Sequence, residues 1–215
     1  MKIVLQLVLW VVIAALGYLV YDSVMGPVRF NKVKEVRYAK AIEKLKDIRK
    51  SELAFKTVTG KYEGNPEKLI AFLDTAKFTL TQRKDSSFIR FNKVLDIDEP
   101  RDTIVIDTLG YASIKDSLFK DGPTYKDMMS FKINDKDINI DLKSSYIDKN
   151  GIRIPVFEAK VRKSDILYDL DKDLVAQENT VKSVDAVNDS LVSVGSLTEV
   201  KTAGNWPTSY GANDQ

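Results

Sequence analysis

The sequence predicts an α+β fold: a single N-terminal transmembrane helix, then a long amphipathic helix packed on a small, mainly antiparallel β head. Three observations predict it. Residues 3–21 read IVLQLVLWVVIAALGYLVY, apolar apart from Gln6. From Val28 to Thr59 apolar residues recur at helical spacing without interruption. Beyond Phe78, short apolar pieces alternate with Asp, Lys and Ser, some with the period of two that marks a half-exposed strand. The expected organisation is an anchor over residues 1–26, the amphipathic helix over 27–61, the head over 62–201 and a flexible tail over 202–215.

The anchor comes first. A run of nineteen residues matches the roughly 20 that a helix needs to cross a bilayer, and Tyr18 and Tyr21 sit where an interfacial aromatic belt would. A cleaved signal peptide is the competing reading, with Lys2 as its positive start and Ala15-Leu16-Gly17 as a small-x-small site. The run continues past that site through Tyr18, Leu19 and Val20, so a retained anchor is expected. Arg29, Lys32, Lys34, Arg37 and Lys40 follow the span closely, and residues 29–61 hold eleven Lys/Arg against four Asp/Glu. Counted literally, those cations place the following domain in the cytoplasm.

Gly26-Pro27 is expected to break the chain after the span, with proline starting a second helix. Turning 100° per residue from Tyr38 puts Ala41, Ile42, Leu45, Ile48 and Leu53 in one sector, with Phe55 at its margin. Lys40, Glu43, Asp47 and Lys50 lie opposite. Gly60 is read as the left-handed cap, Lys61 as a cation at the negative end of the helix dipole, and Tyr62 as the first residue returning to the core. Two residues on the apolar face are polar: Arg49 and Glu52, three apart and able to meet. They read either as an ion pair at the edge of the buried stripe or as a polar site facing a partner subunit. The candidate packing or partner face is therefore Tyr38, Ile42, Leu45, Ile48, Arg49, Glu52 and Phe55.

Asn65-Pro66-Glu67 has the order of a helix start, with Asn65 as N-cap and Pro66 in the first position, and LIAFL follows as a short helix. FIRFNKVL, DTIVIDTL and DINIDL are candidate strands, the last through Ile138, Ile140 and Leu142. IRIPVFEAKV, Ile152 to Val161, is a clearer strand in which Pro155 demands an edge or an irregular point. SDILYDLDKDLVAQENTVK reads as a helix capped by Ser164, and LVSVGSLTEV, Leu191 to Val200, as a last strand. The tail from Thr202 is rich in Gly, Asn, Ser and Pro and reads as loose, with Trp206 able to dock.

Composition removes much chemistry. The 215 residues include no Cys and no His, so thiolate nucleophiles, imidazole bases, disulfides and the usual zinc and haem ligands are absent. Lys+Arg 33 against Asp+Glu 31 gives +2, which does not announce a nucleic-acid partner. No Gly-rich phosphate loop or G-x-S-x-G occurs. DLDKD, Asp169 to Asp173, alternates acids like a calcium loop, but Leu174 and Thr180 stand where an EF-hand needs Gly and Glu. Asp96, Asp98 and Glu99 are acids that glycosidase chemistry could use, although nothing singles them out. No catalytic residue, metal ligand, cofactor or small-molecule substrate is expected.

Three segments, RYAKAIEKLKDIRKSELAFKTVTGKYEGNPEKLIAFL, IRIPVFEAKV and LVSVGSLTEVKTAGNW, together resemble a Bacteroidetes family of short membrane-anchored proteins. That resemblance implies placement and brings no activity. The N-terminal third, an apolar helix running into an amphipathic one and then IR, AFK and GKY, is similar to type IV pilins and type II secretion pseudopilins. A prepilin carries a charged leader ending in Gly and a Glu early in the apolar stretch, where this chain has MKIVLQ, so a pilin-like shape is expected rather than a processed pilin. The likeness implies an inner-membrane, single-pass protein with a periplasmic C-terminal domain. The expected function is a non-enzymatic cell-envelope protein acting in protein–protein interaction or assembly, with the membrane and other envelope proteins or itself as partners. A membrane-tethered carboxylate-dependent hydrolase and a cytoplasm-facing binder of anionic lipid are the alternatives.

Overall fold

The computed structural model describes residues 2–92, 97–120 and 122–211. It is α+β. Helix α1 runs over Lys2–Thr59, 58 residues, or about 87 Å at the 1.5 Å rise of an α-helix. The expected break at Gly26-Pro27 does not form, because Pro27 lies inside α1. Proline withdraws one N–H and crowds the carbonyl four residues back. Here helical turns propagate on both sides and the Pro27 ring points to the exterior, so one missing bond does not end the helix. The apolar first part of α1 is long and apolar enough to cross a membrane, and none of it is buried against the rest of the chain.

Burial begins at Phe30. From there Tyr38, Ala41, Ile42, Leu45, Ile48, Ala54 and Phe55 point into the head at the three- and four-residue steps that keep side chains on one helix face. Asp47, expected opposite, is half-buried, and that burial raises its carboxyl above the usual range. Gly60 closes α1 at φ +77, its N–H donating to Lys56 O at 2.8 Å, and Tyr62 turns back to stack on Phe157 with ring centroids 4.7 Å apart. Asn65 then caps α2 (Pro66–Thr75), its side chain accepting from Glu67 N and Lys68 N at 2.9 and 3.2 Å. Leu69 and Leu73 are buried against α1, and Phe55 meets Phe72 edge to face.

Next comes a two-stranded antiparallel ribbon, β1 (Lys77–Asn92) with β2 (Ile97–Ser113), then α3 (Ile114–Leu118) and a 3-10 turn over Thr124–Asp127. FIRF of FIRFNKVL lies in β1 and DTIVIDTL in β2, whereas Lys93 to Leu95 and Asp96 fall outside the described residues. A hairpin, β3 (Ser130–Ile133) with β4 (Lys136–Asn139), precedes a three-stranded antiparallel sheet ordered β5 (Asp141–Lys149), β6 (Ile152–Arg162), β7 (Leu191–Gly195). Ile138, Ile140 and Leu142 are buried while Asn139 and Asp141 between them are exposed, the alternation expected of half-exposed strands, carried across the step from β4 to β5.

The sheet's inner face is set by the alternation of β6. Phe157, Ala159 and Val161 are buried with Leu142, Val192 and Val194, which lie on the same face through the pairs Leu142↔Ala159, Ala159↔Val194 and Val161↔Val192. Helix α1 packs on that face. Pro155 fits because β7 covers β6 only from Glu158 onward, so the proline stands where one side of the strand is open.

Two short helices replace the single one expected after β6: α4 (Lys163–Ile166) and α5 (Lys172–Thr180). Ser164 caps neither. Asp171 caps α5 by accepting from Asp173 N and Leu174 N at 2.9 and 3.1 Å. β7 also stops earlier than expected, at Gly195, whose φ of +77 turns the chain out of extended geometry. The tail is not loose as far as Gly211. It returns along β7, with Gly195 N donating to Ala203 O and Asn205 N to Ser193 O, and it buries Trp206. Lys46 on α1 holds it by donating to Tyr210 O at 2.6 Å.

Candidate functional site

All seven residues of the candidate packing or partner face lie inside the head. Tyr38, Ile42, Leu45, Ile48 and Phe55 belong to its core, and Arg49 and Glu52 are buried beside them at 3% and 0% exposure. The two polar residues therefore stand neither at the edge of the stripe nor on an outward surface. The wheel placed them at the right angle but could not show how deeply the head wraps that side of α1.

Glu52 has a defined job. Its Oε2 accepts the N–H of Glu63 at 3.0 Å, so it fixes the turn that brings the chain back after α1. Its other oxygen has no hydrogen-bond partner among the described residues. Burial pushes the carboxyl up to about 8 against the opposing effect of that hydrogen bond.

A larger polar cluster lies nearer the start of the head. Lys163, fully buried at the end of β6, donates to Glu178 O at 2.8 Å, to Val187 O at 2.7 Å and to Glu178 Oε1 at 3.3 Å. Lys34 from α1 reaches Glu178 Oε2 at 2.9 Å, and Tyr38 Oη donates to Glu178 Oε1 at 3.3 Å. Burial lowers the Lys163 ammonium from its ordinary value, with the Glu178 charge working against it. Burial, then Glu178, raises the Tyr38 phenol, and Tyr210 is pushed up to about 12 by burial with Glu35 and Glu178 adding. A cavity of about 310 Å³ adjoins the cluster, bordered by Lys34, Tyr38, Glu178, Asp185 and Tyr210.

An ammonium has three donors, and Lys163 spends all three on the protein. The cluster thus ties α1, β6, α5 and the loop at Val187 together. Arg37 does the same nearby, forking both Asp169 oxygens and donating to Ile166 O at 3.0 Å, while Asn134 donates to Asp169 at 2.9 Å.

The acids weighed for chemistry are dispersed. Asp169 is held by Arg37, Asp171 caps α5, and Asp173 is exposed in its first turn. Among the described residues no group of three Asp or Glu side chains is placed to hold a metal ion. Asp96 lies outside the described residues; Asp98 and Glu99 are neighbours on β2 and so face opposite sides of the ribbon.

The β1–β2 ribbon stands apart from the buried core. At 16 and 17 residues its strands extend about 50 Å, and no described residue from Thr79 to Leu109 is buried. Ile89, Ile106, Leu109 and Tyr111 are 65–72% exposed, and Leu80, Phe88, Phe91, Ile104 and Val105 are exposed as well. Paired residues share a face, so Ile104, Ile106, Ile89, Phe91 and Tyr111 line one side, and Leu80, Phe88 and Val105 the other. Each strand pairs only with its neighbour among the described residues, leaving both outer edges open.

Sequence reasoning missed two things here. A buried lysine leaves no trace in hydropathy, because nothing local tells Lys163 from a solvated lysine. The ribbon was visible as apolar pieces but not as a free element, since both its faces carry apolar residues and neither alternation marks an inside. Comparison with protein-family models, with curated proteins and with solved structures finds no match to this chain.

Proposed function

We propose that this chain is a single-pass, membrane-anchored envelope protein that acts by protein–protein association through the β1–β2 ribbon rather than by catalysis. The carrying observation is the ribbon: a two-stranded sheet of this length is marginal in water on its own, and this one displays large apolar side chains on both faces with no cover from the head. Cover from another chain is the physical resolution. The polar groups that could have served chemistry support the same reading, because Lys163, Glu178, Arg37 and Asp169 are engaged with one another and with main-chain carbonyls. The apolar start of α1 supplies the anchor. The pilin likeness supports an inner-membrane protein with the head on the periplasmic side.

The test is cross-linking of the full chain in native membranes, beside a variant in which Thr79–Leu109 is replaced by a short turn. Adducts in the intact chain that vanish in the variant, while the melting of the head is kept, are the expected result. Identical adduct patterns in the two would overturn the reading. A pair of C-terminal reporters, one active in each compartment, tests the periplasmic placement.

A further inference from the structure

We infer that the partner of the ribbon is the ribbon of a second copy of this chain, joined head to tail: the free edge of β2 in one copy against the free edge of β1 in the next. This deepens the association reading and rests on it. The carrying observation is charge. Strand β1 holds Lys77, Arg83, Lys84 and Arg90 against Asp85 alone, a net of three positive. Strand β2 holds Asp98, Glu99, Asp102 and Asp107 against Arg101 alone, a net of three negative. The ribbon is thus a two-sided strip with a basic edge and an acidic edge.

That polarity decides among the ways two copies can pair. Joining β1 to β1, or β2 to β2, about a two-fold axis sets like charge beside like charge along the strands, which is unfavourable for facing residues. Stepping sideways in the order β1-β2-β1-β2 sets opposite charges together and keeps every neighbouring pair antiparallel. Such contacts are heterologous, and they close into a ring or run on as a row. Pro100 has no N–H to give, so the uninterrupted donor run on β2 is Arg101 to Ser113, which contains the apolar Ile104-Val105-Ile106.

The charge-reversal set Arg83→Glu and Asp102→Lys tests this in the full chain, purified in detergent and returned to lipid vesicles. Arg83 stands opposite Ile106 and Asp102 opposite Ser87, so neither change sets like charges face to face within one ribbon. The melting of the head should match the parent, which separates loss of pairing from loss of fold. Each variant alone should lower the cross-linked oligomer at least tenfold, and higher ionic strength should weaken the parent's assembly. An equal mixture of the two variants should restore part of it, because the unaltered β2 of the Arg83→Glu chain then meets the unaltered β1 of the Asp102→Lys chain. Better assembly of Arg83→Glu with the parent than of either alone would show two-fold β1–β1 pairing and overturn the inference. A parent chain that stays monomeric would overturn it too. If that monomer still gives ribbon-dependent adducts in native membranes, the association reading stands with a different partner; if deleting the ribbon changes nothing there, both fall.

Discussion

The main-chain N–H of Glu63 donates to Glu52 Oε2 at 3.0 Å, so a carboxyl from the last turns of the long helix closes the turn that follows it. The carboxyl is fully buried, and that burial dominates its titration.

A pH dependence follows. With its folded value pushed up to about 8 from its ordinary 4.5, Glu52 in the native state holds a proton that the unfolded chain gives up. Its contribution to stability is complete below the lower value and is lost as pH rises through the window up to the higher one, with a slope approaching about 1.4 kcal/mol per pH unit. Denaturation midpoints taken across that window should fall with pH in the parent. Glu52→Gln, which mimics the protonated form and keeps an acceptor for Glu63, should flatten that fall and be the more stable of the two at the alkaline end. Parallel curves would mean that Glu52 is ionised in the folded protein.

Leu45 is fully buried where α1 meets the head. Leu45→Ala should cost about 2–5 kcal/mol, the range for large-to-small core changes. Lys50→Ala, on the exposed side of the same helix, should stay within about 0.5 kcal/mol. Chemical denaturation of the head measures both, and equal effects would mean that this face of α1 is not the one packed.

Removing the Lys163 ammonium breaks a cluster whose other members stay buried. Lys163→Met should cost about 3–5 kcal/mol, because Glu178 keeps its charge and loses its most deeply buried cation. Adding Glu178→Leu to that background should recover part of the loss. A double variant whose loss equals the sum of the singles would show that Glu178 is held mainly by Lys34.

Gly195 carries φ +77, and a Cβ built on it would stand 2.2 Å from Phe157 O. Gly195→Ala should destabilise by more than about 1 kcal/mol. The damage should reach the tail, since Gly195 N donates to Ala203 O. Fluorescence of Trp206, 2% exposed in the parent, should shift to the red in the variant.

The parts of this fold that could be read from sequence are those fixed by local geometry. Gly60, Asn65-Pro66 and the Tyr38-to-Phe55 stripe each follow from rules spanning a few residues, and the structure shows each in the expected place. The parts that could not are those decided by distant chain. Thr202 to Gly211 looks loose by composition, yet it is held because β7 presents a free edge and Lys46 a free donor. Arg49 and Glu52 look marginal on a wheel because a wheel gives direction without depth. Pro27 looks like a stop because propensity scales weigh the residue and not the turns beside it. The ribbon's charge polarity lay in the sequence throughout, but only the pairing of β1 with β2 turns two unremarkable compositions into two edges.

α1 passes through Pro27 as one continuous helix, from the apolar segment into the core. In the single-pass reading, the face of α1 that meets the head is in fixed helical phase with the face of the span, because one helix carries both. Each residue added between Tyr21 and Phe30 would turn the head by about 100° and lift it by about 1.5 Å. In that reading the span acts as an index for the side of α1 on which the head sits.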